Sequence, residues 1–213
     1  MKILFYGDSI TDMGRHRDVQ DHPAFAYGVG YPNLIIGELA YNYPNQYEFV
    51  NRGISGNRIV DLYARIKADV WNHEPDVLSI LIGVNDVWHE WVSKNGVDIE
   101  RYEKIYRMLI EDTKERLPNL KIILCEPFIL QVEATDGEER WQHFLQVKEY
   151  AKVVKKIAED YGAAFVPLQA KFDELSEKYG VQTYLYDGVH PATAGAKLIA
   201  TEWLKVFEEK IKK

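Results

Sequence analysis

Short apolar runs bounded by turn residues alternate along the chain with longer amphipathic stretches. The runs KILFYG (2–7), YEFVN (47–51), VLSILIG (77–83), KIILCEP (121–127) and AAFVPL (163–168) are expected to be strands. Between them, apolar side chains recur at helical spacing over 101–117, at Tyr102, Ile105, Met108, Leu109 and Thr113, and over 141–161, at Phe144, Val147, Tyr150, Val154 and Ile157. Strands alternating with helices imply βαβ units, and the unbroken apolar run VLSILI implies a strand covered on both faces. The predicted fold is therefore α/β, a three-layer αβα sandwich around a five-stranded parallel sheet. No repeat, low-complexity tract or linker interrupts the chain, so residues 1–213 are expected to form a single domain.

In such a sheet, ligands sit in the crevice outside the carboxyl ends of the strands. The segments that follow the first three strands are Gly7-Asp8-Ser9, Asn51 to Asn57, and Gly83-Val84-Asn85-Asp86. All are polar and carry glycine, and they are expected to converge on one rim.

Composition narrows the partners. The balance of 26 basic and 33 acidic residues gives a net charge of −7, with no basic run longer than the terminal Lys212-Lys213. This excludes an electrostatic nucleic-acid footprint and favours a neutral small-molecule substrate. Cys125 is the only cysteine and lies within an apolar run, so it is expected to be a buried structural thiol in a reducing compartment. Lys2 already begins the first strand, and no stretch approaches the roughly 20 apolar residues that span a bilayer. A cytoplasmic protein without membrane association is expected.

The late segment YLYDGVHPATAGAKLIA changes the meaning of Ser9. A serine hydroxyl attacks poorly at neutral pH unless a base removes its proton, and an imidazole does so best when a carboxylate orients it. Asp187 and His190, three apart across a glycine turn with Pro191 beyond, can supply both. Acyl transfer also needs donors aimed at the oxyanion. The candidates are the backbone N–H of Gly56 in NRGISGN, the Asn85 carboxamide, and the N–H of Ser9 itself. Each residue also has a purely structural alternative: Ser9, Asn85 and His190 as helix caps, Asp187 and Gly56 as turn residues. Together they supply a nucleophile, a base, an orienting acid and an oxyanion hole.

The four segments FYGDSIT, NRGISGN, IGVNDVW and DGVHP resemble, in order and spacing, the four signature blocks of the SGNH hydrolases, also called GDSL esterases and lipases. The resemblance runs from Ile3 to about Ala200, and Ile10 stands where the family name has leucine. It implies a flavodoxin-like fold without a cofactor or metal, Ser9 as nucleophile, Asp187 and His190 completing a triad, and Ser9, Gly56 and Asn85 as oxyanion donors. Within the family, GDSITDMGR, NRGISGNRIVDL and IGVNDVW are similar to segments of the intracellular acetylxylan esterases of bacilli. That likeness implies deacetylation of short imported xylo-oligosaccharides. A lysophospholipase or thioesterase activity is the alternative within the family.

Sugars offer apolar faces to aromatic rings, so Trp88 and Trp91 after Asn85, and Tyr184 and Tyr186 before Asp187, are candidate substrate contacts. Trp88 and Trp91 can equally pack beneath the following helix. Asp12 and Arg15, in the loop or first turn after Ser9, are expected to form a surface ion pair, with substrate contact as the alternative. The stretch from Arg15 to Tyr31, with His16, His22, Phe25 and Tyr27, is expected to be a long loop that covers the site or mediates self-association. His16 and His22 lack metal-ligand spacing. Ser55 in GISGN is a poor second candidate for the nucleophile because the second glycine of a nucleophile elbow is missing. Two rival classes are a magnesium-dependent phosphatase using Asp8 and Asp12, and a non-catalytic flavodoxin-like protein holding an anion on its glycine loops; both leave His190 unused. With His190 as base, activity is expected to fall on the acid side near the free histidine value of roughly 6.5 unless the site shifts it.

Overall fold

The computed structural model describes residues 1–18 and 23–212. β1 (Lys2–Gly7) is buried from Ile3 to Tyr6, which requires helices over both faces of the sheet. It pairs in parallel on both sides, with β2 (Glu48–Gly53) from Lys2↔Glu48 to Gly7↔Gly53 and with β3 (Val77–Leu81) from Ile3↔Val77 to Gly7↔Leu81. β4 (Lys121–Cys125) and β5 (Ala164–Val166) continue the sheet in the order β2-β1-β3-β4-β5. This is the flavodoxin-like doubly wound order, whose direction reverses between β1 and β3. The expected five-stranded parallel sheet is present. β2 runs two residues beyond its predicted end, while β3, β4 and β5 stop short of theirs as the chain turns away at the sheet rim.

The helices in chain order are α1 (Ser9–Asp12), α2 (Tyr31–Asn42), α3 (Ile59–Asp69), α4 (Val84–Ser93), α5 (Ile99–Arg116), α6 (Glu138–Phe144), α7 (Val147–Tyr161), α8 (Gln169–Tyr179) and α9 (Thr193–Lys210). α2 packs on α9, and α3 on α5 and α5 on α7, which makes the two outer layers. Side-chain alternation along β1 feeds them separately. Phe5 meets Tyr31 of α2 edge-on and Trp203 of α9, whereas Tyr6 donates its hydroxyl to the Leu62 carbonyl of α3 and lies under the Arg65 guanidinium.

Two sequence expectations are corrected. The helix expected over 141–161 is two helices, because Gln146 and Lys148 bond back three residues, to His143 and Leu145, and tighten the chain into a turn. Tyr31 is not a loop residue; it starts α2, is buried, and bonds Thr11 Oγ1 through its hydroxyl. The preceding loop contains a 3-10 turn at Pro23–Phe25, and His22 lies outside the described residues. Cys125 is buried as expected, and burial pushes its thiol up to about 12. No helix among the described residues is long and apolar enough to cross a membrane.

On the α9 side of the sheet, Trp203 Nε1 donates to the buried Ser79 Oγ at 2.9 Å. Replacing Trp203 by phenylalanine removes that hydrogen bond and opens space beside Phe5. Urea unfolding is expected to show a loss of about 1–3 kcal/mol with an unchanged m-value.

Candidate active site

The reversal of strand order between β1 and β3 opens a crevice above their carboxyl ends, and the polar segments converge there. Gly7 ends β1 where no side chain fits: a Cβ would lie 2.4 Å from the Leu81 carbonyl oxygen and 2.5 Å from Thr11 Oγ1. The chain turns sharply after it, with the Asp8 carboxylate capping α1 by accepting from the Ile10 N–H at 3.0 Å. Asp8 is therefore the cap, and Ser9 the first residue of the helix.

Ser9 Oγ is 2.8 Å from His190 Nε2, and His190 Nδ1 is 2.6 Å from Asp187 Oδ2. The other Asp187 oxygen accepts from the N–H groups of Val189, at 3.0 Å, and His190, at 2.7 Å. The turn that carries the acid thus also anchors it, and Asp187 can take only the Nδ1–H of the ring, leaving Nε2 as the acceptor of the serine proton. Burial opposes the charged form of His190, but the hydrogen bond and charge of Asp187 and the charge of Asp8 outweigh it and raise the imidazole above 6.5. Burial likewise opposes ionisation of Asp187, and the bonds from His190 and the two backbone amides overcome it, holding the carboxyl below 3.8.

The candidate donors stand in the segments that follow β1, β2 and β3. Gly56 has φ +82°, a left-handed conformation that favours glycine, and a Cβ there would meet open space. Asn85, buried in the first turn of α4, donates one amide hydrogen to the Asn57 carbonyl at 3.0 Å, which ties it to the loop that bears Gly56. Among the described residues the N–H groups of Ser9 and Gly56 meet no protein acceptor. The arrangement can activate a hydroxyl and offer N–H donors beside it.

Of the aromatic candidates, Tyr186 stacks on the His190 ring at 5.8 Å and 16° and is half exposed, and Trp88 lies tilted at 6.0 Å from the same ring. Trp91 is turned toward His143 and Arg140, and Tyr184 packs against the core. Asp12 and Arg15 do not form the expected surface ion pair, because both are buried. Asp12 accepts from Ser55 N and Oγ, at 3.0 and 3.1 Å, and Arg15 Nε donates to the Gly53 carbonyl at 2.7 Å. These residues brace the Gly56 loop, a role that no local spacing signals since Asp12 and Ser55 are 43 positions apart. The sequence reading also missed Asp86, buried beside the site, whose Oδ1 accepts from Ile59 N while Oδ2 has no partner. Burial first, and the charge of Asp8 further, push Asp86 well above 3.8. Asp8 itself is 1% exposed and is pushed up to about 7, chiefly by burial. A cap so enclosed cannot attack a phosphate, which removes the basis of the phosphatase reading. A separate cleft of about 770 Å³ lies at the amino-terminal edge of β4 and β5, lined by Lys121, Ala164 and Ile211 among others, and contains none of these residues.

The sequence pattern of the GDSL-like Lipase/Acylhydrolase family matches residues 5–198. The chain belongs to this family and is a carboxylic ester hydrolase. Among individual relatives, it is 37% identical over 209 residues to the acetylxylan esterase of Geobacillus stearothermophilus, covering 96% of this chain and 92% of that one. The crystal structure of that esterase superposes with a TM-score of 0.85. A GDSL-like lipase from Parabacteroides merdae superposes with a TM-score of 0.91 at 38% identity, covering 98% of this chain and 96% of its own. LAE5, a hydrolase from the Lake Arreo metagenome, gives 0.86 at 30% identity, covering 97% and 94%.

Because folding raises the pKa of Asp8, its contribution to stability is greatest below the unfolded value of about 3.9 and declines as pH climbs to about 7. Asp8→Asn is expected to lessen the fall in stability measured by urea unfolding between these limits, the part that remains belonging to Asp86. The same substitution removes a negative charge near the imidazole, so the His190 titration followed by NMR is expected to start above 6.5 and move downward in the variant.

Proposed function

We propose that the protein removes acetyl groups from short xylo-oligosaccharides, by way of an acyl-enzyme on Ser9. The observation that carries this reading is the line of hydrogen bonds from Ser9 Oγ through His190 to Asp187. His190 Nε2 takes the serine proton as Oγ attacks the ester carbonyl, while the N–H groups of Ser9 and Gly56 and the Asn85 amide hold the oxyanion. His190 then protonates the leaving alcohol, and the acyl–Oγ bond is cleaved by water that the same imidazole deprotonates. Asp187 keeps the ring oriented throughout. The relative from Geobacillus supports the assignment of roles, since two of its solved forms are described as catalytic mutants, one with a serine and one with an aspartate replaced by alanine.

The sugar reading rests on that relative and on the rings of Tyr186 and Trp88 beside His190, which offer apolar faces for a pyranose at the mouth of the site. The lone buried Cys125 supports a reducing compartment, where such oligosaccharides arrive as short chains.

Ser9→Ala is expected to lower kcat for p-nitrophenyl acetate by at least about 10³-fold, and Asn85→Ala by about 10²–10³-fold, with little change in KM. Unchanged turnover by Ser9→Ala sinks the mechanism. Acetylated xylo-oligosaccharides are expected to give a higher kcat/KM than a long-chain acyl ester, and the reverse order favours the lysophospholipase or thioesterase alternative. The acid limb of kcat/KM is expected above 6.5, following His190.

A further inference from the structure

β2 is an edge strand, and its free side borders a cleft of about 340 Å³ whose lining includes Arg15, Arg17, Tyr27, Phe49, Arg52 and His73. Three guanidiniums share this space, yet none of them forms an ion pair among the described residues, whereas Arg58, Arg65 and Arg107 each hold a carboxylate. The two carboxylates that Arg15 feels are engaged elsewhere: Asp12 by Ser55, and Asp69 by Arg65 at 2.6 Å.

Arg15 is 8% exposed and has committed only Nε, to the Gly53 carbonyl. Arg52 donates from Nη2 to His73 Nε2 at 2.8 Å, which holds that imidazole neutral, and its own Nε is buried without any partner. Burial and the neighbouring guanidiniums push both His73 and Arg15 downward. Like charges gathered in a partly desolvated cleft, in a protein of net charge −7, are unfavourable unless an anion joins them. A guanidinium fork receives carboxylate or phosphate oxygens in pairs.

The cleft is also larger than a bare inorganic ion requires and falls at the lower end of small-molecule sites. Its walls are apolar where it leaves the arginines, with Tyr27 edge-on to Phe49 at 6.5 Å. We infer that this cleft binds an organic anion, with an aromatic or aliphatic body against Tyr27 and Phe49 and a carboxylate or phosphate head held by Arg15, Arg17 and Arg52. The site is distinct from the Ser9 crevice, but it adjoins the loop that bears Gly56, since Arg15 bonds the Gly53 carbonyl at the strand end from which that loop departs and Arg52 is the residue before it.

Benzoate, phenyl phosphate and the neutral benzamide separate head group from body, and NMR of the histidine side chains locates where each binds. Both anions are expected to bind and benzamide to bind at least about tenfold more weakly, the comparison of the two anions identifying the preferred head. The His73 resonances are expected to shift, with a raised pKa, while those of His190 stay in place. Arg52→Met and Arg17→Met are each expected to weaken binding by about tenfold or more, and the second alters only an exposed side chain that leaves the core intact. Equal binding of benzamide, shifts at His190 in place of His73, or full affinity in Arg17→Met overturns the inference.

Discussion

The last pair of the β1–β3 ladder, Gly7 beside Leu81, sets the geometry of everything above the sheet. The two strand ends approach so closely that only glycine fits, and the chains leaving them must diverge to opposite faces because the strand order reverses there. Ser9 and Asn85 stand on those two departing chains, each in the first turn of its helix. The third strand end is drawn in by the β1–β2 pair Gly7↔Gly53, after which the loop to Gly56 crosses the same rim. Three loops separated widely in sequence thus share one crevice as a consequence of parallel pairing about β1. Only the segment 187–190 comes from beyond the sheet, and it reaches the crevice as a self-anchored turn.

Charge is distributed around this crevice in a graded way. Asp187 is partly exposed and held by three donors, so it remains ionised and raises the imidazole beside it. Asp8 and Asp86 lie deeper and are pushed toward their neutral forms by burial, so negative charge beside Asp187 is reduced. The pair of buried carboxyls is a stability cost at neutral pH, and both stand next in sequence to a candidate site residue, Asp8 before Ser9 and Asp86 after Asn85.

The β2 side of the crevice is held by contacts of a different kind. Asp12 binds Ser55 and Arg15 binds the Gly53 carbonyl, so the loop that bears Gly56 is braced from α1 and from the segment after it. That same bracing arginine enters the cationic cleft at the sheet edge. The cleft and the Ser9 crevice therefore share the braced segment 51–57.

The strands, their parallel arrangement and the four blocks of polar residues were legible in the chain itself, because apolar periodicity and turn residues are local properties and Gly7-Asp8-Ser9 and Asp187-Gly188-Val189-His190 each act within one turn. Strand ends and the break at Leu145-Gln146 were not, since they depend on how the sheet rim and α6 pack. The roles of Asp12, Arg15 and Asp86 were hidden for the same reason: an acid and a base three and six residues after Ser9 suggest a surface pair, and an acid after Asn85 suggests nothing, until tertiary contacts bury them against Ser55, Gly53 and Ile59. Sequence alone determined the kind of chemistry at the rim, through which residue types follow which strands. The tertiary structure decided which groups are desolvated, which carboxyls stay charged and which arginines go unpaired, because burial and electrostatic partners belong to the packed chain and to no segment of it.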